Sequence, residues 1–359
     1  MEMYFLRHAT WERLYNCNLY SVDDVPLEQR QHVFLGTTFI ILSVIFMILY
    51  IPCIIAVRKY MKKNTCYKFL FFLGIVDILT IPANGIMTGY MAIVGAVFCS
   101  YPTFLYFSGP YGYFFWVTES TTAIFLALNR CIEILSPNLA DTLYRDGRTW
   151  LWMIPPVLYA LYFALFTKPV MFNGIYMAWF GNPHLGYIDD PEGITYGNHL
   201  HSFHNMLVCF SLTALYFFFI FAFIYKAKSM RYNTNANGSG AKVLPHKAAF
   251  IQVFLISIFN VVGASLYIYM QYIYIAPWLI VTAQTCWLII HGMPSIFFLV
   301  VNKTIRNECI RMISGGSKVA TTSHMSNSNA ERTLKNTFGD KQQKKQQKET
   351  QQQQSLSDN

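Results

Sequence analysis

Seven stretches of predominantly apolar residues punctuate this chain, from Phe34 to Val57, Phe69 to Val94, Phe104 to Leu135, Trp150 to Met171, Phe203 to Tyr225, Ala248 to Tyr272 and Trp278 to Val301. A helix needs about 20 such residues to cross roughly 30 Å of hydrocarbon, and every stretch meets that length. Over the 359 residues, 54% are hydrophobic and only 13% charged, too little charge to clothe a soluble protein of this size. The expectation is a polytopic membrane protein of all-α class. The formal charge of +9 does not point to nucleic acid, because the basic residues lie in short clusters between apolar blocks rather than on one folded face. Eight cysteines at irregular spacing form no C-x-x-C pair and no zinc framework. The first 33 residues show no apolar stretch followed by a small-residue cleavage site, so the first hydrophobic segment is expected to direct insertion itself.

Lysine and arginine orient the crossings, since cytoplasmic loops retain them. "RKYMKKNTCYK" after the first span holds five, and so does "KAKSMRYNTNANGSGAKVLPHK" after the fifth. Arg145 and Arg148 follow the third, and ten more basic residues follow the last. On the other side, the turns joining spans two to three and six to seven hold none, the loop after span four has only Lys168 at its border, and residues 1–33 hold three against five acids. The chain therefore reads as a multi-pass plasma-membrane protein with its amino terminus outside and its carboxyl terminus in the cytosol. Its expected parts are an extracellular segment 1–33, a bundle 34–301, a short amphipathic juxtamembrane helix 302–313 and a disordered cytoplasmic tail 314–359. That tail is polar and low in complexity, and its Ser and Thr residues serve either as phosphorylation sites or as plain solvated surface. The "NTNANGSG" run reads as a flexible insert in the third cytoplasmic loop.

Charged side chains inside a span cost about 2.5 to 3.5 kcal/mol each at the bilayer centre. The spans carry few: Asp77, Glu119, and Arg130 with Glu133 near a boundary. Arg130 stands at the cytoplasmic end of the third span, where its side chain reaches the interface, and Glu133 one turn on lies on the same face as a ready ion-pair partner. The sequence "LNRCIEI" around it resembles the acid-Arg-aromatic triplet of rhodopsin-type G-protein-coupled receptors. Asp77 in "FLGIVDIL" takes the place of that superfamily's acid in the second helix. "HGMPSIFFLVVNKTIRNEC" resembles its Asn-Pro-x-x-Tyr motif followed by a short amphipathic helix, with Pro294 aligned, Met293 in place of the Asn and Phe297 in place of the Tyr.

More narrowly, "LYNCN", "YIPC", "TCYKFLFFLGIVDI", "GAVFCSYP", "LNRCIEI" and "HGMPSIFFLVVNKTIR" together resemble the nematode serpentine chemoreceptors of class T, from about Leu14 to Arg306. The resemblance implies a receptor that couples an extracellular small-molecule signal to a heterotrimeric G protein through Asn129, Arg130, Glu133, Pro294 and Phe297. It also implies palmitoylation at Cys309. Departures limit it: Asn129 replaces the acid before the arginine, and "VLPHKAAF" before the sixth span offers no carboxylate to reach Arg130. The sixth span lacks its usual proline, with Gly263 as the obvious weak point.

Several site readings follow. Asp77 and Glu119 should sit at similar depth, with Glu119 about 16 Å further from the cytosol than Arg130 and Asp77 roughly 13 Å above Lys68. If their faces converge they share a proton or hold a sodium ion, because two bare carboxylates in a dry interior repel. Otherwise each is protonated and bonded separately. Many rhodopsin-type receptors tie the cysteine before the third helix to the second outer loop, but here that loop, Phe172 to Ser202, has no cysteine. Cys99 then has Cys17 as its candidate partner outside, with two unlinked thiols as the alternative. Tyr106, Tyr111, Tyr113, Phe114 and Trp116 are candidates to line a ligand pocket, against the alternative of packing or marking the interface. Gly112 stands where amine receptors carry an aspartate, which disfavours a cationic amine. His199, His201 and His204 read as solvated loop histidines in preference to a metal site with Asp189 and Asp190.

No metal or other cofactor is expected beyond that sodium ion. Hydrolysis in the membrane would need several His and Asp residues converging there, and only His204 and His291 lie near any span. The alternative function, a membrane transporter or ion channel, rests on Asp77 and Glu119 alone, because no internal repeat is visible.

Overall fold

A computed structural model describes residues 1–62, 64–190, 193–237, 247–272 and 276–314. Its compact body is Met1–Cys309. Short helices α1 (Glu2–Leu6), α2 (His8–Leu14) and α3 (Leu27–Arg30) lead into α4 (Val33–Tyr60), the first crossing. The second is α5 (Thr65–Ile81), a π-helical turn Pro82–Met87 and α6 (Thr88–Ile93). The third is α7 (Pro102–Leu135). After α8 (Pro137–Tyr144) and α9 (Arg148–Leu151) comes the fourth, α10 (Ile154–Phe166). An antiparallel hairpin, β1 (Met171–Asn173) and β2 (Ala178–Phe180), pairs Met171 with Phe180 and Asn173 with Ala178. The last crossings are α11 (His199–Asn237), α12 (Lys247–Tyr272) and α13 (Pro277–Val300), and α14 (Lys303–Ile313) ends the described chain.

The burial pattern is that of a protein in lipid. In α4, Ile41, Ile45, Ile48, Ile51 and Ile55 face outward, while Ser43 and Tyr50 face inward with Phe39 and Phe46. Buried polar groups recur across the bundle, among them Asp77, Asn84, Glu119, Asn129, Asn205, Asn260 and Gln284. Outward isoleucine is favoured where the solvent is hydrocarbon, and polar groups then have only one another.

Among the described residues, six helices are long and apolar enough to cross a membrane by length and composition. The seventh is α7, whose 34 residues rise about 51 Å. Its apolar content is diluted by "SGPYGY" and "TESTT" because it packs against α5, α10, α11 and α12 instead of lipid. The hydroxyls of Ser108, Thr118, Ser120 and Thr122 donate to the carbonyls four residues back, so these side chains are satisfied without water. Pro82 lacks an N–H, and the second crossing accommodates it by widening into the π turn. Above that turn Gly89 meets Gly36 of α4 so closely that a Cβ on either would stand 2.5 Å from the other's carbonyl oxygen.

One boundary differs from the sequence expectation. α11 continues to Asn237, so the first half of "NTNANGSG" is helical, and residues 238–246 lie outside the described chain. The tail beyond Ser314 also lies outside it.

Candidate functional site

At the cytoplasmic end of α7, Arg130 is 5% exposed and its Nη2 lies 2.5 Å from Glu133 Oε2. Nη2 also donates to Asn129 Oδ1 at 2.6 Å and to Asn64 Oδ1 at 3.4 Å. Asn64 is the N-cap of α5 and accepts from the Cys66 amide at 2.8 Å, so the start of the second crossing and the guanidinium share one side-chain oxygen. Among the described residues no carboxylate of α12 reaches Arg130. The contact there is made by neutral amides: Asn302, just past α13, donates to Gln252 of α12 and to Tyr67 of α5, each at 3.4 Å. Phe297 of α13 stacks on Phe259 of α12, centroids 5.9 Å apart. Pro294 is buried inside α13.

Halfway through the bundle the two acids go to different partners. Asp77 accepts from the Tyr50 hydroxyl and, on its other oxygen, bonds His291 Nδ1 at 2.7 Å. Glu119 accepts from Asn260 Nδ2 at 3.1 Å. Tyr50 and His291 each take one Asp77 oxygen and Asn260 takes one of Glu119, so in this arrangement the two acids are bonded separately. Among the described residues no group of three or more His, Cys, Asp and Glu is arranged to hold a metal ion. Three buried atoms of this layer have no partner: Glu119 Oε2, Asn260 Oδ1 and His291 Nε2. His291 enters the sequence reading only as lying near a span, with no role, although its place three residues before Pro294 puts it well inside the last crossing.

One helical turn nearer the outside lies a cavity of about 40 Å³ lined by Gly112, Tyr113, Trp116, His201, Tyr267 and Trp287, with Gly263 and Ile290. Val170 and Trp179, from the chain entering and forming the hairpin, cover it. Three helices supply both levels: Trp116 and Glu119 on α7, Gly263 and Asn260 on α12, Trp287 and His291 on α13. The indole of Trp287 and the imidazole of His291 are 6.4 Å apart.

Of the five aromatics proposed for the pocket, Tyr113 and Trp116 line it. Tyr111 instead faces a groove between the second and third crossings and donates to Leu79 O at 2.7 Å. Tyr106 is buried against Tyr4, Trp11 and Tyr15 of the amino-terminal segment. Phe114 packs on Phe115. The histidines also correct the sequence reading: His199 is exposed, but His201 and His204 are buried in α11, with His204 Nε2 2.9 Å from Ser120 Oγ. They sit below the loop because α11 begins at His199.

The outer mouth is closed. Cys17 and Cys99 are disulfide-bonded. Arg30, buried, donates to Gly95 O at 2.9 Å and Val25 O at 3.1 Å and pairs with Asp23 at 2.9 Å. His184 is fully buried between Tyr20 OH and Leu14 O, each at 3.0 Å. Burial lowers its pKa from the ordinary histidine value, against the opposing pull of the Leu14 carbonyl.

Cys309, the expected palmitoylation site, is 2% exposed and lies beside Cys53 of α4, and burial raises its thiol pKa.

The family model described as "Serpentine type 7TM GPCR chemoreceptor Srt" matches residues 1–322. This chain belongs to that family. A relative, serpentine receptor class T-55 of Caenorhabditis elegans, is 24% identical over 316 residues, covering 87% of this chain and 84% of the relative. The chain is thus a serpentine chemoreceptor-family protein of the plasma membrane, built as a multi-pass helical bundle. For such a receptor the stacked cavity, polar layer and buried arginine are the parts to be explained.

Proposed function

We propose that this receptor binds an extracellular small molecule in the cavity under the hairpin and passes the signal to a heterotrimeric G protein at the cytoplasmic ends of α7, α11 and α12. The observation that carries the reading is the register of α7, which lines the cavity with Tyr113 and Trp116, enters the polar layer with Glu119 and ends at Arg130. A ligand that favours one arrangement of the helices shifts the population toward it. In the arrangement described here Arg130 is folded back on Glu133, Asn129 and Asn64, which is a resting posture. In the active one it exchanges those partners for the G protein.

Arg130→Ala should abolish ligand-stimulated nucleotide exchange while surface expression persists, measured in cells carrying a G-protein activation reporter. Retained signalling at normal surface level would remove Arg130 from the mechanism. Ligand-dependent current or uptake without G protein would instead favour a transporter or channel.

A further inference from the structure

The cavity under the hairpin has an unusual polar inventory. None of its lining residues is Asp, Glu, Lys or Arg. Most of its donors are already engaged: Trp116 Nε1 donates to Asn205 Oδ1 at 3.1 Å, Trp179 Nε1 to Thr88 Oγ1 at 3.1 Å and Tyr267 OH to Gln284 Oε1 at 3.3 Å. His201 Nε2 lies 3.2 Å from Asn205 Nδ2, so that nitrogen accepts. Among the lining residues, Trp287 Nε1 is the buried donor with no partner, on a side chain 9% exposed.

That indole packs against α7. Its Cζ2–Cη2 edge, which adjoins Nε1 through Cε2, turns toward Gly112, where an added Cβ would stand 3.3 Å from Cη2 and 3.8 Å from Cζ2. Across the cavity, a Cβ on Gly263 would meet Ile290 Cδ1 at 2.5 Å. Both glycines are thus close-packing positions in the cavity wall, beside a tryptophan whose N–H lacks an acceptor among the described residues.

We infer that the ligand is an uncharged, largely apolar small molecule bearing one hydrogen-bond acceptor oxygen, of the ketone, ester or ether kind, which pairs with Trp287 Nε1. The inference rests on the cavity being the ligand seat. A charged ligand is excluded because the lining has no counter-ion to offset its desolvation. A pure hydrocarbon leaves the indole N–H as unsatisfied as before, whereas an acceptor restores the bond that burial removed. A site holding an unpaired donor discriminates between the two by about ten- to a hundredfold. The occupant would rest against Trp287 and through it bear on His291, the partner of Asp77.

The test uses the full-length receptor in lipid nanodiscs and three probes: cyclohexanone, methylenecyclohexane, which replaces the carbonyl oxygen by a CH2 group, and cyclohexylammonium. Binding is read by quenching of tryptophan fluorescence and by the shift in melting temperature. Wild type should bind the ketone at least tenfold more tightly than the hydrocarbon and should not bind the cation. Trp287→Phe keeps an aromatic ring and removes the N–H, so it should retain hydrocarbon binding and lose the preference. Any fall in its melting temperature without ligand reports lost ring packing, since no hydrogen bond is removed. Equal affinity of wild type for ketone and hydrocarbon, survival of the preference in Trp287→Phe, or tight cation binding would each overturn the inference while leaving the cavity as a seat. Failure of wild type to bind either neutral probe would overturn the seat itself and the inference with it.

Discussion

The outer cap and the cytoplasmic end of this bundle are held by different chemistry. Outside, a covalent bond joins Cys17 to Cys99, a buried arginine is saturated by two carbonyls and an aspartate, and a buried histidine bridges Tyr20 to the carbonyl of Leu14. Inside, α12 is tied to its neighbours by an amide pair at 3.4 Å, and Arg130 relies on Glu133, which is 28% exposed. On the proposed function, the outer frame is kept while the inner ends exchange contacts. The mid-bundle layer lies between the two regimes, with strong bonds at Asp77 and unpaired atoms on Glu119, Asn260 and His291.

The most severe way to break the contrast is to cut the cap. Cys17→Ser or Cys99→Ser releases a bridge spanning 82 residues, a loop for which chain entropy gives about 4 kcal/mol. The variants should lose surface expression, and any purified protein should melt lower by an amount that reduction of wild type reproduces. An unchanged melting temperature would mean that the cap does not depend on its disulfide. Next in size is His291→Ala, which strips Asp77 of one of two partners in a dry interior, a loss of about 2 to 3 kcal/mol. Pairing it with Asp77→Asn should recover part of that loss, and simple additivity of the two variants would show that they do not interact.

At the inner end the effect should fall on activity more than on stability. Gln252→Ala or Asn302→Ala each removes a neutral hydrogen bond worth about 1 kcal/mol, enough to raise basal nucleotide exchange roughly fivefold if that bond restrains the resting arrangement. Unaltered basal exchange in both variants would point to a restraint elsewhere. The smallest effect sharpens the description of the cap. The folded pKa of His184 is depressed below about 6.5, the value of an unfolded histidine, so its contribution is complete above that pH. As pH falls below it, the unfolded chain takes up a proton that the folded cap refuses, and stability declines. Thermal melts at pH 7.5 and 5.5 should show a drop in wild type that shrinks in His184→Gln, and equal drops would assign the pH sensitivity to other groups.

The parts legible in the sequence were those set by local composition or short spacing. Basic clusters orient the crossings because lysine and arginine resist translocation. Glu133 faces Arg130 because three residues nearly complete a helical turn. The opposite holds for whatever depends on how each helix is rotated about its axis. "CWLIIHGMP" is apolar on every face, so nothing in it says that Trp287 turns to the cavity and His291 to Asp77. Tyr111 and Tyr113 are two residues apart in an aromatic run, yet one faces a groove between the second and third crossings and the other the cavity under the hairpin. Trp179 joins them only through a hairpin that folds back over the mouth. Cys309 follows the same rule: position after the last crossing gives proximity to the membrane, but not that α14 sets that thiol beside Cys53.

The contrast itself is most directly tested by pulsed dipolar spectroscopy on the receptor in nanodiscs, with spin labels carried by unnatural amino acids. One pair would join the outer ends of α7 and α10, and a second the inner ends of α7 and α12. A single narrow distance across the outer pair and a broad or two-peaked distribution across the inner pair is the expected result. A narrow inner distance beside a broad outer one would contradict a fixed cap above a releasable cytoplasmic end.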